Sequence, residues 1–123
     1  MAPSEGPLAG KRVLVVEDRY MIAAEMCEEV NRMGGEVVGP SSSVARALDL
    51  IERQAVDLAL LDVNLDGDPV YPLAETLHAR EVPFIFLTGY DDFTLPDPWR
   101  QRPRLSKPVS LRQLQAEVRK VLG

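Results

Sequence analysis

Glu17, Asp18, Asp62, Thr88 and Lys107 are the side chains whose types and spacing could do chemistry together. Four stand at or just beyond the end of an apolar run, Val13 to Val16, Leu58 to Leu61 or Phe84 to Leu87, and Lys107 follows the short Arg104-Leu105 pair. Three carboxylates brought close together repel, which raises their pKa values unless a cation neutralises them. With no His or Cys beside them, an all-oxygen cluster favours a hard ion such as Mg²⁺, which keeps several waters and takes one or two carboxylates plus a phosphate. A carboxylate nucleophile in that setting can accept a phosphoryl group as an aspartyl phosphate, while a metal and a cation balance charge on the equatorial oxygens. In such a reaction Asp62 is the acceptor, Lys107 the fixed cation, and the Thr88 hydroxyl a donor to a phosphoryl oxygen. Singly, these residues have plainer readings: a cap or turn aspartate, a solvated lysine before proline, a turn threonine before glycine. Only a fold that gathers them gives the chemical reading weight.

The hydrophobic pattern supplies such a fold. Leu58 to Leu61 is continuously apolar, as in a strand buried on both faces of a parallel sheet. A buried carboxylate costs several kcal/mol unless compensated, so Asp62 belongs at the rim, where ligands bind in open α/β sheets. Val13 to Val16 predicts the first strand. A helix follows with Ala23, Met26, Cys27 and Val30 on its apolar face, Asp18 placed as its cap, and Gly34-Gly35 as its stop. Glu36 to Gly39 predicts a second strand, Pro40 to Ser43 a turn, and Val44, Ala47, Leu48 and Ile51 a second helix. After Asp62 comes a loop through Gly67 and Asp68, then a helix on Val70, Leu73, Ala74 and Leu77, with Pro72 tolerated in its first turn. Pro83 to Leu87 predicts a fourth strand.

From Tyr90 to Arg104 the periodicity fails, with Pro96, Pro98 and Pro103 in the segment, so a fourth helix there is short, displaced or absent. A brief fifth strand is expected at Arg104-Leu105. The last helix has Ser110 as N-cap, Gln113 to complete a capping box, and Leu111, Leu114, Val118 and Val121 on one face. Strand and helix alternating about five times with short connections describe a doubly wound five-stranded parallel sheet, whose strand ends share one rim.

Composition narrows the function classes. At 123 residues the chain holds one core, with 46% hydrophobic and 27% charged residues. A net charge of −5 gives no basic face for nonspecific duplex binding, so no nucleic-acid partner is expected. The single cysteine, Cys27, excludes an intramolecular disulfide. No apolar run approaches membrane-spanning length and the N-terminus lacks a signal-peptide core, which predicts a cytoplasmic protein without membrane contact.

Val-Glu17-Asp18, Leu-Leu-Asp62-Val, Leu-Thr88-Gly89 and Ser106-Lys107-Pro108, in this order and at these intervals, resemble the receiver domain of two-component response regulators. The resemblance covers nearly the whole chain, with residues 11–123 as the domain after a flexible lead-in over 1–10. It implies the flavodoxin-like strand order 2-1-3-4-5. Asp18 and Asp62 then look like direct Mg²⁺ ligands, with Glu17 acting largely through water and Asn64 offering its backbone carbonyl. Asp62 looks like the phosphorylated residue, with Thr88 and Lys107 as switch and phosphate partner. The implied function is that of a stand-alone receiver in a phosphorelay, without an output domain, that catalyses its own phosphoryl transfer and autodephosphorylation. Its donor would be a histidine kinase or a phosphotransfer protein.

Two departures stand out. Many receivers carry Tyr or Phe three residues before the lysine, where this chain has Arg104. Pro83-Phe-Ile-Phe-Leu-Thr-Gly-Tyr90 resembles a receiver subgroup with a Pro-Phe-x-Phe-Ala-Thr-Gly-Tyr-like motif, Leu87 standing for Ala, often paired with HWE or related kinases. In that subgroup the fourth-helix region is atypical, in agreement with the proline argument. Signalling would run through Thr88, Gly89 and the segment to Arg104, which makes the face of the fourth helix and fifth strand the candidate docking surface, for a homodimer as well as for a partner.

Three other readings stay open at the level of sequence. A small Mg²⁺-dependent phosphohydrolase would need a second acid near the nucleophile; Asn64 is no acid, and Asp66 is expected in a loop. A pseudo-receiver used only for binding is disfavoured because no acidic, Thr or Lys position is lost. A flavin module would want a phosphate cradle where Glu17-Asp18 would repel phosphate. His78, the single histidine, is expected on the surface, and Trp99 either anchors a partner or tucks against the fold.

Overall fold

The computed structural model describes residues 6–65, 67–89, 95–96 and 98–122, Asn64 by its backbone. Its elements in chain order are β1 (Arg12–Val16), α1 (Tyr20–Arg32), β2 (Glu36–Ser41), α2 (Val44–Arg53), β3 (Leu58–Asp62), α3 (Tyr71–Ala79), β4 (Phe84–Thr88), β5 (Arg104–Ser106) and α4 (Leu111–Leu122). All strand pairings in the main sheet are parallel and the spatial order is β2-β1-β3-β4-β5, the expected flavodoxin-like order.

Alternation along each strand divides the core in two, because successive side chains leave a strand on opposite faces. Leu14 and Val16, Ala59 and Leu61, Phe84 and Phe86 join Ala47 and Ile51 of α2 and Leu73 and Leu77 of α3. Val13 and Val15, Leu58 and Leu60, Ile85 and Leu87 join Met26 and Val30 of α1 and Leu114 and Val118 of α4. Both faces are covered, so the strands read as unbroken apolar runs.

Several details differ from expectation, each for a physical reason. Residues 1–5 lie outside the described residues, but Gly6 to Gly10 are not a trailing lead-in: Leu8 is fully buried and its N–H donates to the Met33 carbonyl (2.8 Å). Asp18 does not cap α1. The N-cap residue is Arg19, without a side-chain bond, and the Arg19 N–H donates instead to Glu17 Oε1 (3.1 Å). The Asp18 carboxylate is engaged elsewhere, in the acidic cluster below. β2 continues through a cis Gly39-Pro40 bond to Ser41, whose carbonyl accepts the Glu17 N–H (3.0 Å). Leu111 is 44% exposed, because the buried stripe of α4 is carried by Leu114 and Val118. Ser110 does cap α4, its Oγ accepting the Gln113 N–H (3.1 Å).

The two loops flanking α3 and β4 are also informative. After Asp62 the chain forms a small antiparallel ribbon, Asn64–Leu65 against Asp68–Pro69, where a loop was expected. Between β4 and β5, a single 3-10 turn, Trp99–Gln101, is the helical element among the described residues. Trp99 is 5% exposed and meets Phe84 and Phe86 edge-on at 5.8 and 6.3 Å, so the local tuck is the outcome. His78 is exposed as expected, with its ring edge against Trp99. Among the described residues no helix is long and apolar enough to cross a membrane.

Candidate functional site

The sheet delivers the expected residues to one rim. Asp62 closes β3 and is 1% exposed; Thr88 closes β4 and is also buried. Glu17 and Asp18 follow β1 directly, and Lys107 follows β5. Lys107 Nζ lies 3.0 Å from Glu17 Oε2 and 3.0 Å from Asp62 Oδ1, bridging two acids that follow different strands. Its backbone N–H donates to the Thr88 carbonyl (2.7 Å), which fixes where the lysine leaves β5.

Glu17, Asp18 and Asp62 each offer a carboxylate oxygen within 4.8 Å of the others. Burial pushes the Glu17 carboxyl up to about 7, against the lowering effect of Lys107 and with a further push from neighbouring Asp62. Burial works to lower the Lys107 pKa, yet its bonds to Asp62 and Glu17 prevail and hold it above the ordinary lysine value. Three acids thus share one lysine, a deficit of positive charge in a poorly solvated place. An all-oxygen donor set with that deficit fits a hard divalent cation such as Mg²⁺.

Thr88 is at the right strand end, but its Oγ1 donates to the Leu105 carbonyl of β5 (3.4 Å). Arg104, at the position where many receivers have an aromatic residue, is exposed. Asn64 lies two residues beyond Asp62, its backbone opposite Pro69 in the ribbon. Asp66 and Tyr90 lie outside the described residues.

The sequence from 13 to 119 matches the response regulator receiver domain. The chain belongs to that family. Among curated relatives, this receiver domain is 28% identical over 108 residues to the transcriptional regulatory protein PdtaR of Mycobacterium tuberculosis, a match covering 85% of this chain and 53% of PdtaR. It is 30% identical over 87 residues to the sensory transduction protein LytT of Bacillus subtilis, covering 68% of this chain and 36% of LytT. The chain therefore spans about half or less of the length of these relatives. Among solved structures, SdrG from Sphingomonas melonis Fr1 is 34% identical with a TM-score of 0.84, over 96% of this chain and 99% of that one. The PhyR stress response regulator is 26% identical with a TM-score of 0.80, over 98% of this chain and 47% of that one.

One feature of the receiver's rim had no signal in the sequence. A cavity of about 560 Å³ opens beside Glu17 and Asp18, floored by Ala23, Cys27 and Pro40 and edged by Tyr20 and Arg46. Its lining comes from α1 and from the β2–α2 junction, a tertiary relation that local patterning does not encode. Burial there raises the Cys27 thiol pKa, which disfavours the thiolate.

Proposed function

We propose that this receiver accepts a phosphoryl group on Asp62 from a histidine kinase or phosphotransfer protein and signals by a change at the β4–β5 side of the rim. The observation that carries the reading is Lys107 Nζ 3.0 Å from both Glu17 and Asp62, with the Asp18 carboxylate in the same cluster. An Asp62 oxygen attacks phosphorus, the P–N bond of the donor phosphohistidine breaks, and its electron pair stays on the imidazole nitrogen. Asp18 and Asp62 would hold Mg²⁺ directly, Glu17 through water and Asn64 by its backbone carbonyl; the bound ion would neutralise charge on the transferred group. Lys107 then exchanges its contact with Asp62 for one with a phosphoryl oxygen. Thr88 exchanges the Leu105 carbonyl for another, drawing on the β4–β5 connection. Later, water attacks phosphorus and the P–O bond to Asp62 breaks, which returns the carboxylate.

The exposed Arg104 leaves the switch without its usual aromatic part, so the signal passes through Thr88, Gly89 and the segment leading to Trp99. The resemblance of Pro83-Phe-Ile-Phe-Leu-Thr-Gly-Tyr90 to the subgroup motif supports a donor of the HWE or a related kinase class, with the β4–β5 face as the docking or homodimer surface. Incubation with Mg²⁺ and acetyl phosphate followed by intact-protein mass spectrometry tests the reaction. The wild-type chain gains one phosphoryl mass, while Asp62→Asn and an EDTA-treated sample do not. Equal labelling of Asp62→Asn would overturn the assignment.

A further inference from the structure

Helix α2 is capped twice, once from its own sequence and once from far away. Ser43 Oγ accepts the Arg46 N–H (3.2 Å), the usual local cap. The Val44 N–H at the first position of the helix donates to Asp68 Oδ2 (3.3 Å), a residue 24 positions later. Asp68 belongs to the ribbon that follows Asp62. In that ribbon Leu65 faces Asp68 and Asn64 faces Pro69, and Gly67, with φ +86°, takes the left-handed conformation its turn requires.

A ribbon with two residues per strand has too few hydrogen bonds of its own to define one shape. Its shape must come from what it is fastened to. On the inside Leu65 is 2% exposed and shares a buried cluster with Val44. On the outside the Asp68 carboxylate meets the same residue's backbone N–H, at the helix end where partial positive charge favours an anion. The ribbon is therefore held by Asp68 on the Val44 N–H and by Leu65 in the buried cluster that Val44 also joins. The ribbon in turn carries Asn64, whose backbone conformation is set by its pairing with Pro69, the neighbour of Asp68.

We infer that Asp68 is a positioning residue for the phosphoryl-accepting site: by tying the ribbon to α2 it holds the Asn64 carbonyl where a divalent cation on Asp18 and Asp62 would take it as a ligand. The inference rests on the assignment of Asp62 and Asn64 proposed above. Asp68 itself is exposed and is not among the clustered carboxylates, so it acts through the backbone it fastens. Residues that orient metal ligands in this way typically change metal affinity by about tenfold or more when removed.

The test compares Asp68→Ala, Asp68→Asn and Ser43→Ala in the full chain, reading Mg²⁺ affinity by calorimetry and backbone amide exchange at Val44 and Leu65. Asp68→Ala should weaken Mg²⁺ binding about tenfold and speed exchange at Val44. Asp68→Asn keeps an acceptor oxygen and should stay close to wild type. Ser43→Ala removes the other cap of the same helix, loosening α2 while leaving Mg²⁺ affinity unchanged. Unchanged affinity in Asp68→Ala overturns the inference, and so does an equal loss in Ser43→Ala, which would trace the effect to helix stability alone. A wild-type chain that binds no Mg²⁺ at all fails at a different point: it sinks the metal assignment first, and this inference with it.

Discussion

The two halves of the sheet solve one problem by different means. On the β2-β1-β3 side each crossover is a full helix, α1 of 13 residues and α2 of 10, and the strand ends there carry the acids. On the β4–β5 side the helical element among the described residues is a 3-10 turn, and two side chains of the connection, Leu95 and Trp99, are buried in the cluster that holds Phe84 and Phe86. A helix spreads its burial along a face, whereas here, among the described residues, it rests on Leu95 and Trp99. The acidic half is thus built to hold a fixed constellation. The β4–β5 half is fastened, among the described residues, by fewer buried side chains, of which Trp99 is the largest, and elements with few buried contacts open at low free energy.

Truncating Trp99 has the largest expected effect. Trp99→Ala removes a buried aromatic from three ring contacts and is expected to cost about 3–5 kcal/mol in denaturant unfolding. Mg²⁺ affinity, which depends on the other half, should stay as in wild type. Trp99→Phe keeps an edge-on ring partner and should lose distinctly less. A Trp99→Ala protein that is fully stable, or one that folds yet binds Mg²⁺ weakly, would break the division between the halves.

The same division explains what was legible in the sequence. Strand interiors and the four long helices show in the spacing because two-sided burial demands apolar residues at fixed intervals, as with Leu58 to Leu61 and with Leu114 and Val118. The site showed through because its residues stand at the ends of those same runs. Asp18 reads as a helix cap because local chemistry suits it to that role, but the cap position falls on Arg19 and the Asp18 carboxylate lies instead beside Glu17 and Asp62. Leu8 looked like part of a loose terminus because no periodicity surrounds it; its partners are Met33 and the α1–β2 turn. The ribbon at Asn64 has a local signature, the Asp66-Gly67 pair of a two-residue hairpin turn, that the reading as a loop passed over, whereas the long-range cap from Asp68 has none, since it depends on α2 lying alongside.

A pH titration sharpens the acidic half. Folded Glu17 holds its proton up to about pH 7, whereas the unfolded chain releases it near 4.5, so protonation favours the folded state. In metal-free protein this contribution is complete below about pH 4.5 and is lost as pH rises through 7. Glu17→Gln lacks the group, so in EDTA the wild-type melting temperature should fall relative to Glu17→Gln between these values, by a few degrees. Saturating Mg²⁺ should flatten that difference by compensating the charged cluster. A wild-type profile parallel to Glu17→Gln throughout would mean that Glu17 is ionised in the fold as readily as in water. The raised Lys107 pKa gives up its stabilisation only above the ordinary lysine range, outside this window.

The smallest effect comes from the clasp on the β4–β5 half. Arg102 lies over the Trp99 ring and the Phe84 ring, its Cζ 5.2 Å from the Phe84 centroid and 5.8 Å from that of Trp99, and its guanidinium donates to His78 Nδ1. A partly solvated cation over an aromatic face contributes about 0.5–1 kcal/mol. Arg102→Ala should therefore lower stability by about 1 kcal/mol, measured by urea unfolding, and Arg102→Lys by less because the charge over the rings is kept. Combined with Trp99→Ala, the Arg102→Ala change should add little, since one of its two rings is already gone. A full additive loss in the double variant would show that Arg102 acts through Phe84 and His78 alone, independently of Trp99.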